Sequence, residues 1–399
     1  MKMNFLIKSL GSQTIYTFCI VILSIRSLTP QYLIYRNPVI FDQLVLYGAF
    51  VLMFVSLVRN KKLKLKIKKF IPFFSCLFLY SLIELVAHGE LWISNTNNIC
   101  LIVLLVIFYM LSYEDKIRIL SCMFVLLTIL LVLAYFEYIL YKCGVSFIIQ
   151  SGIERGEGSG AYYSHGIFNV FVEGKSIVRF QSLLREPGFL GMIAGLFMFV
   201  LPKVNKKLWL LWIIFGISSM SLAYFILFLA SLLFVFSSGK GKELFVSIVV
   251  IILILIVALY FFPHAINDIF LSRIVDYTSR GYDNRSTDYA NTLLSNANSF
   301  NKWFGYSESF FYKQDMGWGT TGIKMDLIKW GYLGVFLSAL GVFTLFKTYI
   351  KKNKYMLFVI MMLFLILYYN GSIKYMLCMH LLFFSIYDAN TNKLFFNPN

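Results

Sequence analysis

Ile119-Leu-Ser-Cys-Met-Phe-Val-Leu-Leu-Thr-Ile-Leu-Leu-Val-Leu-Ala-Tyr-Phe-Glu-Tyr-Ile-Leu-Tyr141 is the stretch whose reading decides the fold. Its only charged residue is Glu137. A helix over it is roughly 35 Å long at the usual rise, enough to cross the hydrocarbon core of a bilayer. Charges stand on both sides: Glu114, Asp115, Lys116 and Arg118 before it, Lys142 after it. The same pattern recurs along the chain. Apolar runs cover about 9–27, 41–58, 70–88, 98–112, 119–141, 187–202, 208–220, 221–236, 244–262, 323–346, 355–370 and 372–387. The run 208–236 has lysines at both ends, so it is read as a hairpin split at Ser218-Ser219, with one long tilted helix as the alternative; 355–387 splits at Asn370-Gly371.

The whole chain agrees with the local reading. Of 399 residues, 59% are hydrophobic and 14% charged, against about 25% charged in soluble domains. That balance excludes a cytosolic enzyme, a disordered chain and a secreted disulfide scaffold. Lipid leaves no backbone polar group unpaired, which selects helices. The expectation is an all-α polytopic membrane protein, one integral membrane domain over 1–399 with about twelve transmembrane helices. The start, Met1-Lys2-Met3-Asn4 before an apolar run, reads as a retained first span.

The net charge of +17 would suggest nucleic acid in a soluble protein. Here it follows membrane topology instead, and no nucleic-acid partner is expected. One set of loops holds Lys2, Lys8, Arg59 to Lys69, Lys116, Arg118, Lys203 to Lys207, Lys240, Lys242, Lys347 to Lys354 and Lys393. The short loops of the other side hold only Arg26, Arg36 and Lys374. Both termini are therefore placed in the cytoplasm. Six cysteines without a Cys-x-x-Cys give neither a disulfide framework nor a thiolate metal site. No His/Cys/Asp spacing suggests zinc, so no metal and no cofactor is expected.

Two long segments on the far side, 142–186 and 263–322, carry charge that the topology rule does not explain. They are rich in aromatic residues, including Tyr162, Tyr163, Trp303 and Trp318, and loops of this length are commonly functional. The sharpest motif is Arg179-Phe-Gln-Ser-Leu-Leu-Arg-Glu-Pro-Gly-Phe-Leu-Gly191. Pro187 suits the first position of a helix, and a helix start attracts anions. Arg179 and Arg185 add guanidinium forks matched to phosphate. The same residues also suit an interfacial helix start in which Glu186 simply pairs with one of the arginines.

In the second segment Arg273 and Arg280 are seven apart and share a helix face, with Asp276 spaced to pair with either. Arg285 has only Asp288 at helical spacing. Arg155-Gly-Glu-Gly-Ser-Gly160 reads as a turn or lid rather than a nucleotide loop, since no strand–turn–helix context surrounds it. His165 is the one histidine of the first segment and a candidate base. Glu84 and Glu137, near the outer ends of their spans, are candidate walls of an outward-facing cavity.

At the 179–191 motif the chain resembles the bacterial O-antigen polymerases (Wzy-type) of the O-antigen ligase/polymerase superfamily. Ile217-Ser-Ser-Met-Ser-Leu222 resembles that family's serine-containing hairpin. Asn301-Lys-Trp-Phe-Gly-Tyr306 resembles its loop turn, and Trp330-Gly-Tyr-Leu-Gly334 its entry to a late span. Arg155 to Gly166 matches an Arg-x10-Gly pattern of some members. The second segment lacks that pattern, and the ligase-like His-Asn is replaced by Gly317-Trp-Gly-Thr-Thr321.

The resemblance implies a GT-C-like architecture and a metal-independent glycosyltransferase in the inner membrane, with its site facing the periplasm. It would polymerise undecaprenyl-diphosphate-linked oligosaccharide repeats, which serve as donor and acceptor, alongside a chain-length-regulating protein. Arg179, Arg185, Arg273, Arg280 and Arg285 would grip the lipid diphosphate. Glu186 and His165 would be catalytic, and Tyr162, Tyr163, Trp303 and Trp318 would bind sugar. An O-antigen ligase and a lipid-linked oligosaccharide flippase are the alternatives.

Overall fold

The computed structural model describes residues 47–53, 70–90, 111–145, 149–154, 161–165, 168–172, 179–182, 184, 187–201, 205–237, 288–307, 309–310 and 323–346, with single positions within 17–21, at 55 and within 102–107. The elements are α1 (Ile71–His88), α2 (Tyr113–Lys142), β1 (Ile149–Glu154), β2 (Ala161–His165), β3 (Asn169–Val172), α3 (Pro187–Met198), α4 (Lys206–Ser218), α5 (Leu222–Ser237), α6 (Asp288–Ser295), α7 (Ser299–Phe304) and α8 (Ile323–Phe346). Contacts sort them into two compact units. One holds α1, the first turns of α2, and α6 to α8; the other holds α2 from Ile119, the sheet, and α3 to α5.

In the first unit, α1 starts with Pro72 in its first turn and stops at Gly89, which takes φ 70°. Only a residue without Cβ adopts that region at no cost, which fixes the helix end. One face of α1 buries Phe73, Tyr80 and Glu84; the opposite face exposes Ile71, Phe74, Phe78, Leu82 and Val86. Ser75 apart, that exposed face is apolar over a helix long enough to cross a membrane. Water would select polar residues there; lipid does not. Against the buried face lies α8, whose Gly334 and Gly341 meet Tyr80, Phe73 and Cys76. Small residues seven apart let the two backbones approach.

Helix α2 is the second helix of spanning length and apolarity. It starts earlier than the apolar run because Ser112 caps it. The Ser112 hydroxyl accepts from the Asp115 N–H at 3.2 Å and donates to the Asp115 carboxylate at 2.7 Å. This is a serine N-cap, and its sequence signature, Ser112-x-x-Asp115 before an apolar run, is visible in the chain. Beyond Ile119, an aromatic ladder joins α2 to its neighbours: Phe124 to Phe197 of α3 at 4.8 Å, and Phe197 to Trp212 of α4 at 4.7 Å. The indole N–H of Trp212 donates to Thr128 Oγ1 at 2.9 Å. A buried indole costs free energy without such a partner.

The run 208–236 is two helices, in line with the hairpin reading: α4 ends at Ser218 and α5 begins at Leu222. Asn205 caps α4, its Oδ1 accepting from the N–H groups of Lys207 and Leu208. Helices α3, α4 and α5 are each shorter than a membrane is thick. In α3 every residue from Phe189 to Met198 is buried. It is a short apolar rod enclosed by protein, not a free-standing span.

Two features depart from the expected all-α chain with open loops. The first long segment holds an antiparallel three-stranded sheet in the order β1-β2-β3. Each strand holds two or three of Ile, Val, Tyr and Phe, residues suited to a pleated surface, but they are too short to stand out as apolar runs. Glu154 pairs with Ala161 across the glycine-rich stretch 155–160, which fits the turn reading; 155–160 itself lies outside the described residues. The second long segment holds the short helices α6 and α7. The expected spans 244–262, 355–370 and 372–387 lie outside the described residues.

Candidate functional site

The hairpin turn between α4 and α5 is where the Arg179 motif is anchored. A helix C-terminus leaves four carbonyls without intrahelical donors and carries partial negative charge. Here three successive carbonyls are met by one extended segment. Phe180 N–H donates to Ser218 O at 3.1 Å. Arg179 Nε donates to Ser219 O at 2.9 Å, and its Nη2 to Met220 O at 2.8 Å. Met220 sits at φ 46° without being glycine. Such a conformation costs roughly 1–3 kcal/mol, which the cationic hydrogen bond to its own carbonyl offsets. Beside it Phe180 is fully buried and meets Tyr135 edge-on at 5.2 Å, and the Tyr135 hydroxyl lies 3.0 Å from Ser218 Oγ.

The same turn receives the start of α3. A Cβ at Gly191 would lie 2.2 Å from Ser221 Cβ and 2.8 Å from Ser219 Oγ. One helical turn on, a Cβ at Gly195 would lie 2.6 Å from Leu227 Cβ. The Gly191-x-x-x-Gly195 stripe thus lets α3 sit against the hairpin. Across the hairpin, Gly216 leaves room for the Tyr224 ring, whose hydroxyl donates to Ile213 O at 3.3 Å.

Glu137, a candidate cavity wall in the sequence, bonds to the first long segment. Its Oε2 accepts from Phe168 N–H at 2.9 Å. Phe168 lies between β2 and β3, so one carboxylate from α2 holds the sheet's second turn. Glu84 is buried on the inner face of α1 and accepts from the Tyr80 hydroxyl at 2.5 Å.

In the other unit, two stretches far apart in sequence meet through their glycines. Gly305 ends α7 at φ 77°, and Gly331 breaks α8 at φ 62°, ψ −174°. A Cβ at Gly305 would stand 2.4 Å from Lys329 O, and one at Gly331 would stand 2.4 Å from Trp303 O. Tyr306 N–H donates at 2.8 Å to Ile328 O, the carbonyl one turn before the kink. The C-terminal end of α1 joins the same place: His88 Nε2 is 3.1 Å from Phe304 O, and Glu90 accepts from the Ser309 hydroxyl. Because a carbonyl only accepts, His88 Nε2 carries the proton.

The residues expected at the site fall into three groups. Arg179 is well defined, but at least two of its N–H groups go to backbone carbonyls rather than into an open anion pocket. His165, Tyr162 and Tyr163 occupy register positions of the central strand β2, opposite Asn169, Val172 and Phe171 of β3. Trp303 lies on α7 in the other unit, with 56% of its surface exposed. Arg185, Glu186, Arg273, Arg280, Arg285 and Trp318 lie outside the described residues, as do Arg155 and Gly166. Glu90 and Ser309 were not singled out by sequence. Neither stands in a recognisable motif, and only the fold makes them neighbours. Among the described residues no three His, Cys, Asp or Glu side chains converge.

No family model, no curated protein and no solved structure matches the chain.

Proposed function

We propose that the protein is an integral membrane glycosyltransferase of the O-antigen polymerase kind. It extends a surface polysaccharide from undecaprenyl-diphosphate-linked repeats at the periplasmic face of the inner membrane, with both termini in the cytoplasm. One observation carries the reading. The stretches that resemble the family are not scattered: the 179–191 motif is bonded to the 217–222 hairpin through Arg179, Phe180 and Gly191. The pairing of 301–306 with 330–334 through Gly305 and Gly331 follows the same logic. The apolar exposed row of α1 supports the membrane setting.

In this reading the acceptor hydroxyl attacks the anomeric carbon of the donor sugar and gives up its proton to the Glu186 carboxylate. The bond from that carbon to the diphosphate oxygen breaks, and the lipid diphosphate leaves with the electron pair. Charge grows on the leaving group, so cations held beside it lower the barrier. Arg179 is a positioning residue: it ties the extended segment to the hairpin and so fixes where α3 starts. Arg185 and Glu186, directly before Pro187, are the groups proposed to meet the diphosphate and the acceptor hydroxyl.

The test is to reconstitute the purified protein with a lipid-linked repeat and resolve the products by size. A ladder of extended chains is expected, lost in Glu186→Ala while the protein stays inserted. Intact substrate crossing the bilayer without new glycosidic bonds would overturn the proposal in favour of transport.

A further inference from the structure

Helix α7 belongs to the second long segment, yet it presents two large rings outward: Phe300 is 48% exposed and Trp303 56%. On a segment bathed in water such rings are costly. They are also not isolated. The Trp303 ring meets the Tyr332 ring edge-on, centroids 6.0 Å apart. Tyr332 heads an exposed apolar row on α8, continued by Phe336, Leu340 and Phe343 at helical spacing. On the α1 side, Phe300 stands 6.1 Å from the ring of His88, the last residue of that helix. The exposed apolar row of α1 ends just before it, at Leu85 and Val86.

Two antiparallel helices therefore finish their apolar outer rows at one level, and α7 lies at that level. Polar groups gather on α7 and at the head of α8: Lys302 and Asn298 are exposed, and Lys324 Nζ donates to Asn291 Oδ1 at 3.2 Å. Aromatic rings between an apolar row and a polar cap are what the boundary of lipid headgroup and acyl chain selects, because indole and phenol are apolar bodies with one polar edge.

We infer that α7 is an interfacial helix seated on the outer leaflet, with Trp303 and Tyr332 at the headgroup–acyl boundary and phospholipid as their partner. The second long segment is thereby pinned to the membrane surface, and Trp303 faces lipid rather than sugar. The inference rests on the membrane setting of the proposed function and not on its transferase chemistry.

Trp303 is one of six tryptophans, so its emission is isolated as the difference between the full-length protein and Trp303→Phe, both reconstituted in phosphatidylcholine vesicles. Trp303→Tyr supplies the same difference if the first variant does not fold. With bromines placed near the headgroup end of the acyl chains, the difference signal should lose more than half its intensity. Bromines at the chain ends should quench it less, and aqueous iodide should leave it nearly unchanged. Strong quenching by iodide without quenching by bromolipid overturns the inference and restores a water-facing platform for sugar. Protection from both quenchers also overturns it, since protein would then cover the ring. A chain stripped from vesicles by alkaline carbonate overturns the membrane setting itself, and the inference with it.

Discussion

Alanine placed at three glycines should give three different outcomes, graded by what the added Cβ meets. At Gly331 the backbone is at φ 62°, ψ −174°, a region that residues with a Cβ occupy at a cost of roughly 1–3 kcal/mol. The new Cβ would stand 2.4 Å from Trp303 O and 2.5 Å from Gly305 N. Both are backbone atoms of a helix end that is itself fixed by the Tyr306 to Ile328 hydrogen bond. Overpacking of that kind adds roughly 1–3 kcal/mol. About 4 kcal/mol in all corresponds to a fall in Tm of roughly 8–16 °C for a domain of this size. At Gly334 the clash is with Trp330 Cβ at 2.6 Å and a Tyr80 ring carbon at 2.8 Å; the backbone there is not left-handed, so only the overpacking part of the cost remains and Gly334→Ala should cost about half as much. At Gly188 nothing lies within 4 Å, and the gain in helix preference makes Gly188→Ala neutral or stabilising by up to about 1 kcal/mol. Thermal unfolding in detergent, followed by tryptophan emission, reads all three. Equal Tm values for Gly331→Ala and Gly188→Ala would refute the contact between Gly305 and Gly331 and with it the kink in α8.

Three further outcomes follow from single hydrogen bonds. Arg179→Ala leaves the Ser219 and Met220 carbonyls without their cationic donor and should cost about 3 kcal/mol; in the ladder assay it should remove chain extension, while Arg179→Lys, which cannot span both carbonyls, recovers only part of the stability. Glu137→Ala should speed amide exchange at Phe168 roughly tenfold to a hundredfold, the equivalent of about 1.4–3 kcal/mol, whereas Glu137→Gln keeps an acceptor and should keep most of the protection; exchange read by mass spectrometry distinguishes them. Thr128→Val strands the buried indole N–H of Trp212 and should lower stability by about 1–3 kcal/mol, with unchanged amounts of inserted protein on a membrane blot.

The chain shows how far local chemistry carries. Helix α1 over Ile71–His88 and α8 over Ile323–Phe346 were legible within a residue, because an apolar run of membrane length has one structural solution in lipid. The hairpin at Ser218-Ser219 was legible only in part: lysines at both ends of 208–236 favoured a turn, but one long tilted helix fitted the apolar run as well, and the contacts of Gly191 and Arg179 with the turn are what the fold adds. The early start of α2 was legible in principle, through Ser112 and Asp115, but an apolar run looks for hydrophobic edges and not for caps. The sheet over 149–172 was hidden, since strands of four to six residues hold too few positions for a period-two pattern to emerge.

The candidate site divides along the same line. Sequence by itself determined the apolar character of the chain, the approximate apolar runs and which residues carry charge in the long segments between them, since all three depend on residue type and spacing alone. Only the tertiary structure decided what those residues touch. Arg179 looked like a phosphate ligand because a guanidinium is matched to phosphate, yet a peptide carbonyl offers the same acceptor oxygen. Every residue carries such a carbonyl, so no pattern of side chains reveals which one will be within reach. The meeting of Gly305 with Gly331, and of Glu90 with Ser309, is likewise a fact about the folded backbone, written nowhere in the order of the residues.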